Sequence, residues 1–201
     1  MMSTAYCFDL DGTLTRQELL PLIATSVGLH DEISALTQAT INGVLPFDKS
    51  FKLRVRLLRD ANIDWIHAAL EEQVEFEPSI INFIKERPEQ CFVVTGNLDV
   101  WVKPILERLG IQSFTSIAAM QDGRLEGVDY ILHKGDAVSS LRNRFEKIVA
   151  VGEGMNDVPM FEAADWRIAF GGTHRPNKLL VKLSDFVIND GSSLCRLLNM
   201  L

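Results

Sequence analysis

"AYCFDLDGTLT", residues 5–15, runs four apolar residues into an aspartate, a leucine, a second aspartate and then Gly12-Thr13. The apolar run has the length of a buried strand, and the Gly-Thr pair ends it in a turn. Asp9 and Asp11 therefore stand where a strand leaves its sheet, two residues apart and pointing to the same side. An aspartate before glycine is ordinary turn chemistry. The rest of the chain decides whether this pair is more.

Other short apolar runs end in the same manner. "CFVVTG" (91–96), "KIVAVGEG" (147–154), "WRIAF" (166–170) and "DFVI" (185–188) are compact, β-branched or aromatic, and bounded by turn residues. Helical patterns lie between them, near 79–86, 98–109, 134–145, 156–163, 175–183 and 191–200. This alternation predicts the α/β class, with a Rossmann-like parallel sheet core and helices on both faces. "SIAAMQDGRLEGVDYIL" (116–132) reads instead as a small β-hairpin excursion turning at Asp122-Gly123.

Between the first strand and these units, the periodicity is helical. Leu19, Leu22, Ile23 and Val27 form one stripe; Ile33, Leu36, Thr40 and Ile41 a second; Phe47, Phe51, Val55 and Leu58 a third. Trp65, Ala69 and Leu70 suggest a fourth, with Asp64 as its N-cap. The expected organisation is a core of residues 1–14 and 76–201, with a helical-bundle cap of residues 15–75 inserted after the first strand. Ligands of open parallel sheets bind beyond the carboxyl ends of the strands, so an insertion at that edge becomes a lid.

The 201 residues suffice to bury a core without disulfide staples, and 47% apolar with 23% charged residues is ordinary for a globular chain. A net charge of −7 argues against nucleic acid and anionic membrane as partners. Cys7, Cys91 and Cys195 are far apart and lack metal-ligand spacing, which points to reduced thiols. No signal-peptide pattern opens the chain and no apolar run approaches the roughly 18 residues of a membrane span. The expectation is a cytoplasmic monomer or homodimer with a small-molecule substrate.

Four polar clusters close strands or open helices: Asp9/Asp11, Thr95-Gly96-Asn97, Lys134, and Glu153/Asn156/Asp157. Strand ends converge on one rim, so these clusters should meet. Clustered carboxylates favour a hard cation such as Mg²⁺. Asp9 can then serve as ligand and nucleophile, and Asp11 can protonate a leaving alkoxide and later accept a proton from water. The Thr95 hydroxyl and the N–H groups around Gly96 suit phosphate oxygens, and Lys134 offsets their charge. The chemistry described is phosphoryl transfer.

In this order, "DLDGT", "VVTGN", Lys134 and "GEGMND" resemble the motifs of haloacid dehalogenase-superfamily phosphatases, across residues 9–157. Glu18 and the segment "NGVLPFDKSFKLRVRLL" (42–58) resemble the phosphoserine phosphatase group within that superfamily. The resemblance implies a Mg²⁺-dependent phosphomonoester hydrolase with an aspartyl-phosphate intermediate, acting on phosphoserine or a similar small phosphorylated amino acid. By the same resemblance, Asp9, Asp11 and Glu153 hold the metal with Asp157 in support. Glu18, Arg54, Asn97 and Asn156 contact substrate, and Phe47 helps close the pocket.

Gly12 and the Thr95-Gly96-Asn97 loop differ from the serine-containing versions common in that group, and Glu153 stands where it usually has aspartate. Two alternatives stay open: a phosphatase for another small metabolite, such as a sugar phosphate or phosphorylated alcohol, or a binding protein with weakened turnover through Glu153. Dehalogenation is disfavoured, because Asp11 has no task when the leaving group is halide. His30, His67, His133 and His174 show no pairing and read as surface or structural residues. Asp99 reads as a first-turn helix carboxylate.

Overall fold

The computed structural model describes residues 4–201. Its strands are β1 (Thr4–Phe8), β2 (Cys91–Leu98), β3 (Gln112–Gln121), β4 (Arg124–Tyr130), β5 (Lys147–Gly152), β6 (Trp166–Phe170) and β7 (Phe186–Ile188). Its α-helices are α1 (Leu19–Thr25), α2 (His30–Ile41), α3 (Phe47–Leu58), α4 (Ile63–Gln73), α5 (Pro78–Glu86), α6 (Asp99–Leu109), α7 (Lys134–Ser140), α8 (Val158–Glu162), α9 (Lys178–Leu183) and α10 (Gly191–Leu198).

Among the described residues the strands form one seven-stranded sheet in the order β4-β3-β2-β1-β5-β6-β7, parallel except for the β3–β4 pair. All five residues of β1 are buried, as a strand with no polar face must be inside a sheet covered on both sides. Alternate β1 residues feed separate apolar clusters: Tyr6 and Phe8 join one, Ala5 and Cys7 the other. From β1 the chain builds outward through β2 and β3, then reverses to β5 on the other side. The reversal makes the β1/β5 boundary a topological switch point, where the carboxyl ends of the strands leave a crevice. No helix among the described residues is long and apolar enough to cross a membrane.

The Asp122-Gly123 hairpin forms as expected, with φ of +50° and +77° at the two turn residues, the backbone of a type I′ turn. It is less of an excursion than the sequence suggests. β3 begins at Gln112 and pairs parallel with β2 through Ser116 before pairing antiparallel with β4 from Ile117, so the hairpin extends the main sheet.

α1 to α4 occupy the interval between β1 and β2. The chain leaves and returns through an antiparallel bridge at Thr15 and Phe76, secured by Arg16 N to Glu75 O (2.9 Å) and Glu77 N to Leu14 O (2.9 Å). Phe51, Val55 and Leu58 of α3 and Ile33 of α2 are buried as their stripes require. Val27 falls beyond α1 and is exposed. In α4 Leu70 is buried as expected, but its inward partner one turn earlier is Ile66, while Trp65 is 68% exposed. The N-cap also differs from expectation, since Asn62 Oδ1, not Asp64, accepts from a helix-start amide, Trp65 N at 3.0 Å. Three other helices are shorter than their patterns. Leu141–Asn143 and Met155–Asp157 are 3₁₀ turns beside α7 and α8, and Asn177 caps α9 after Pro176.

Candidate active site

The β1 ladder carries Asp9 to the switch point. Asp9 N donates to Val151 O at 2.9 Å, extending the β1–β5 register past Phe8, and Gly12 with φ +69° then turns the chain away. Lys134, at the start of α7, is 3% exposed and donates through Nζ to Asp9 Oδ1 (2.5 Å) and Asp157 Oδ1 (2.7 Å). A buried ammonium between two carboxylates is the arrangement that keeps all three charges tolerable away from water.

Asp11 faces the helical insert. Its Oδ1 accepts from Leu19 N (2.8 Å) at the start of α1, and its Oδ2 from Asn97 Nδ2 (2.5 Å). One carboxylate thus ties β1, the β2 loop and the first insert helix together.

Thr95, Gly96 and Asn97 leave the ladder as a bulge: Val94 pairs with Phe114 and Leu98 with Ser116, so four residues of β2 advance against two of β3. The Thr95 hydroxyl accepts from Asn97 N at 3.2 Å, which leaves its own hydrogen to donate. Ser116 holds the bulge from behind. Its buried hydroxyl donates to Gly96 O (2.8 Å) and accepts from Leu132 N (3.1 Å), linking the loop to the segment that leads into Lys134. Sequence reading gives Ser116 no role, since its partners are 20 and 16 residues away. Asp99 adds to its first-turn position an acceptor role toward Ala118 N at 3.0 Å.

After β5, Asp157 Oδ2 accepts from Glu153 N (2.8 Å) and Gly154 N (2.9 Å), shaping the turn on which Glu153 sits. Both Asp157 oxygens are thus engaged, which makes it the support of Lys134 and of this turn. Glu153 is 2% exposed, its carboxylate rests over Gly12, and its Oε2 has no hydrogen-bond partner. Asn156 lines the same cleft.

The insert closes the cleft from above. Arg54 is 4% exposed, with Nη1 donating to Thr37 Oγ1 (3.1 Å) and Nε to Ser50 O (3.4 Å). The Thr40 and Ser50 hydroxyls share a 2.6 Å hydrogen bond beneath it. Phe47 stacks on Phe51, with ring centroids 5.3 Å apart, and packs directly on Gly96, where any side chain would meet its ring. Glu18, just before α1, turns a buried, unpartnered Oε1 inward. Asp9, Asp11, Glu18, Phe47, Arg54, Thr95, Gly96, Asn97, Glu153 and Asn156 line one cleft, whose closed interior is small, about 40 Å³.

The four histidines divide. His67 bonds Val100 O at 2.7 Å and the His133 side chain caps α7, both structural roles, and His30 lies beside Asp31. The expectation of no pairing fails for three of them: His30 lies 3.1 Å from Asp31, His133 3.2 Å from Asp136, and His174 Nε2 3.6 Å from Glu18 Oε1. The signal of His174 in sequence is slight, a lone histidine in a Gly-rich loop after a strand.

Five carboxylates share this volume with two cations: Asp9, Asp11, Glu18, Glu153 and Asp157 against Lys134 and Arg54. Burial pushes Asp9 up to about 7, aided by the Asp157 charge and opposed by Lys134. Burial, then the charge of Glu18, pushes Glu153 up to about 10. Asp11 and Glu18 are also raised, chiefly by burial. Burial alone would depress Lys134, but the charges of Asp157 and Asp9 outweigh it and hold it above the ordinary lysine range. Burial lowers Arg54 to about 10, with Asp11 and Glu18 opposing.

Such an excess of buried negative charge is relieved by protons or by a cation. The donor set is oxygen, and Glu153 Oε2 is a buried acceptor with nothing to accept from. These residues fit a hard divalent cation such as Mg²⁺, which accepts carboxylates and keeps places for water and phosphate oxygens.

A family model described as haloacid dehalogenase-like hydrolase matches residues 7–162. Phosphoserine phosphatase of Methanocaldococcus jannaschii is 33% identical over 175 residues, covering 81% of this chain and 83% of that protein. Phosphoserine phosphatase of Homo sapiens is 27% identical over 184 residues, covering 84% and 81%. Among solved structures, a substrate-bound phosphoserine phosphatase complex aligns with a TM-score of 0.85 at 28% identity, over 100% of this chain and 99% of that one. A phospho-aspartyl intermediate analogue of phosphoserine phosphatase aligns with a TM-score of 0.83 at 28% identity, over 100% of both chains.

Proposed function

The chain belongs to the haloacid dehalogenase-like hydrolase family and is a phosphatase, and we propose that it hydrolyses phosphoserine or a similarly small phosphorylated amino acid, with Asp9 as nucleophile and Mg²⁺ as cofactor. The observation that carries the substrate reading is that Glu18 and Arg54 both line the cleft that holds Asp9 and Asp11. An amino acid offers an ammonium to the one and a carboxylate to the other, and because burial disfavours each side chain's charge while it lacks a partner, an oppositely charged substrate group would be favoured there. The relatives named above are phosphoserine phosphatases, and one structural neighbour is described as an analogue of a phospho-aspartyl intermediate.

In this reading Asp9 attacks phosphorus, the ester P–O bond breaks, and Asp11 gives its proton to the departing serine oxygen. Water then attacks the phosphorus of the phospho-Asp9 group, Asp11 takes a proton back, and inorganic phosphate leaves. Asp11 suits both duties because its pKa is raised and Asn97 and Leu19 hold its orientation. Lys134 favours the ionised form of Asp9 against its burial and balances phosphate charge, while the Thr95 hydroxyl and the Gly96 N–H receive phosphate oxygens. Phe47, seated on Gly96, excludes water. Asp9 and Glu153 would hold Mg²⁺ with Asp157 in support, the cation would neutralise phosphate charge during transfer, and the Asp11 carboxylate, held by Leu19 N and Asn97 Nδ2, is kept for the proton. The insert of residues 15–75 acts as the cap.

The test is kcat/KM across phosphoserine, phosphothreonine, sugar phosphates and simple alkyl phosphates. A preference of at least about 10-fold for the amino-acid esters, the worth of one charged hydrogen bond, is expected. Equal or better turnover of sugar or alkyl phosphates would replace the substrate and keep the chemistry.

A further inference from the structure

Three buried side-chain atoms make no hydrogen bond, Glu18 Oε1, Glu153 Oε2 and His174 Nε2, and two of their residues, Glu18 and Glu153, line the cleft that holds Asp9 and Asp11. One ligand atom from each of these residues lies within 4.8 Å of the other two. Glu153 is 2% exposed, so its unpaired oxygen is not waiting on solvent. The Glu18–His174 separation of 3.6 Å is too long for a hydrogen bond to satisfy either atom. Two ligands bound tetrahedrally at about 2.0–2.2 Å from one ion stand about 3.3–3.6 Å apart, so that separation is already a metal-ligand spacing.

His174 is held in this position. Its loop follows β6 and ends at Asn177, whose N donates to Glu153 O (2.9 Å) and whose Nδ2 donates to Ile41 O at the end of α2 (3.1 Å). The loop is thus anchored both to the turn that carries Glu153 and to the helical insert.

We propose that Glu18, Glu153 and His174 form a second cation site, adjoining the Asp9/Asp11 site and sharing Glu153 with it, selective for a divalent transition metal such as Zn²⁺. Imidazole suits Zn²⁺ and its neighbours in the first transition row, whereas Mg²⁺ prefers oxygen and near-octahedral surroundings. Two carboxylates, one imidazole and water complete a tetrahedral set. Glu153 has two oxygens and can serve this site and the aspartate site together. Occupation also removes Glu18 from a substrate ammonium, which makes the ion inhibitory; that consequence rests on the substrate reading above, and the site itself does not.

The full chain in saturating Mg²⁺ is titrated with ZnCl₂ by calorimetry. Wild type takes up one Zn²⁺. His174→Gln and Glu18→Gln each weaken uptake by about 30-fold or more, while Asp9→Asn changes it by less than about 10-fold. No Zn²⁺ uptake by wild type in Mg²⁺, unchanged affinity in folded His174→Gln, or a loss confined to Asp9→Asn would each overturn the proposal. Because the readout is heat, failure of the substrate reading leaves this result intact. Zn²⁺ inhibition competitive with phosphoserine, and relieved in His174→Gln, is expected where both hold.

Discussion

The Glu153 carboxylate occupies the space that a side chain at position 12 would need. A Cβ on Gly12 would lie 2.6 Å from Glu153 Oε1 and 2.7 Å from its Cδ. The glycine of the first motif and the glutamate of the fourth are therefore one structural feature: the Glu153 carboxylate fits because its neighbour has no side chain. Gly12→Ala should destabilise the protein by about 2–4 kcal/mol, combining overpacking with an alanine forced to φ +69°. Glu153→Asp in the same chain should recover at least about 1 kcal/mol of the loss, because its carboxylate withdraws. Urea unfolding of the four variants measures the coupling, and additive effects would refute the pairing.

Lys134→Met leaves Asp9 and Asp157 buried against each other. In EDTA the loss should be about 3–5 kcal/mol near pH 8. It should shrink near pH 5, where Asp9, already pushed up to about 7, accepts a proton. A loss independent of pH would show that Lys134 contributes packing alone.

Stability of the metal-free protein should fall as pH rises. Asp9 moves from 3.8 up to about 7 and Glu153 from 4.5 up to about 10 on folding. The folded chain therefore holds protons that the unfolded chain has already released, and each group's contribution is full below its unfolded value and lost through its folded one. Tm in EDTA should drop by roughly 5 °C or more between pH 5.5 and 8.5, and Mg²⁺ should flatten the slope by taking the place of those protons. A Tm rising with pH in EDTA would contradict the burial of these carboxylates.

Arg54→Ala should raise KM for phosphoserine by about 10- to 100-fold, the worth of a charge-assisted hydrogen bond. A phosphate ester without a carboxylate should lose less than about 3-fold. Equal losses on both substrates would mean that Arg54 serves the cap fold, through Thr37 and Ser50, and not the substrate.

Much of the fold is legible because its strands are apolar runs that end on Gly, Asp or Thr, and because Asp122-Gly123 admits few turns. The phase of α4 is not. Trp65 and Ile66 are adjacent apolar residues, and packing against the rest of the chain, not a local pattern, selects which of them joins Leu70 inside. The dual pairing of β3 is equally silent, since a strand's sequence does not say where one partner gives way to another. In the site, motif residues at strand ends are legible from topology alone. Ser116 and His174 are not, because each matters through contacts with residues distant in the chain, and neither carries a local pattern.

Inorganic phosphate release from phosphoserine, followed in Mg²⁺ and in EDTA for wild type and Asp9→Asn, tests the central claim most directly. Turnover that requires Mg²⁺ and falls by at least about 10³-fold in Asp9→Asn is the predicted result. Turnover by Asp9→Asn within about 10-fold of wild type, or none by the folded wild-type protein on any small phosphomonoester, would contradict it.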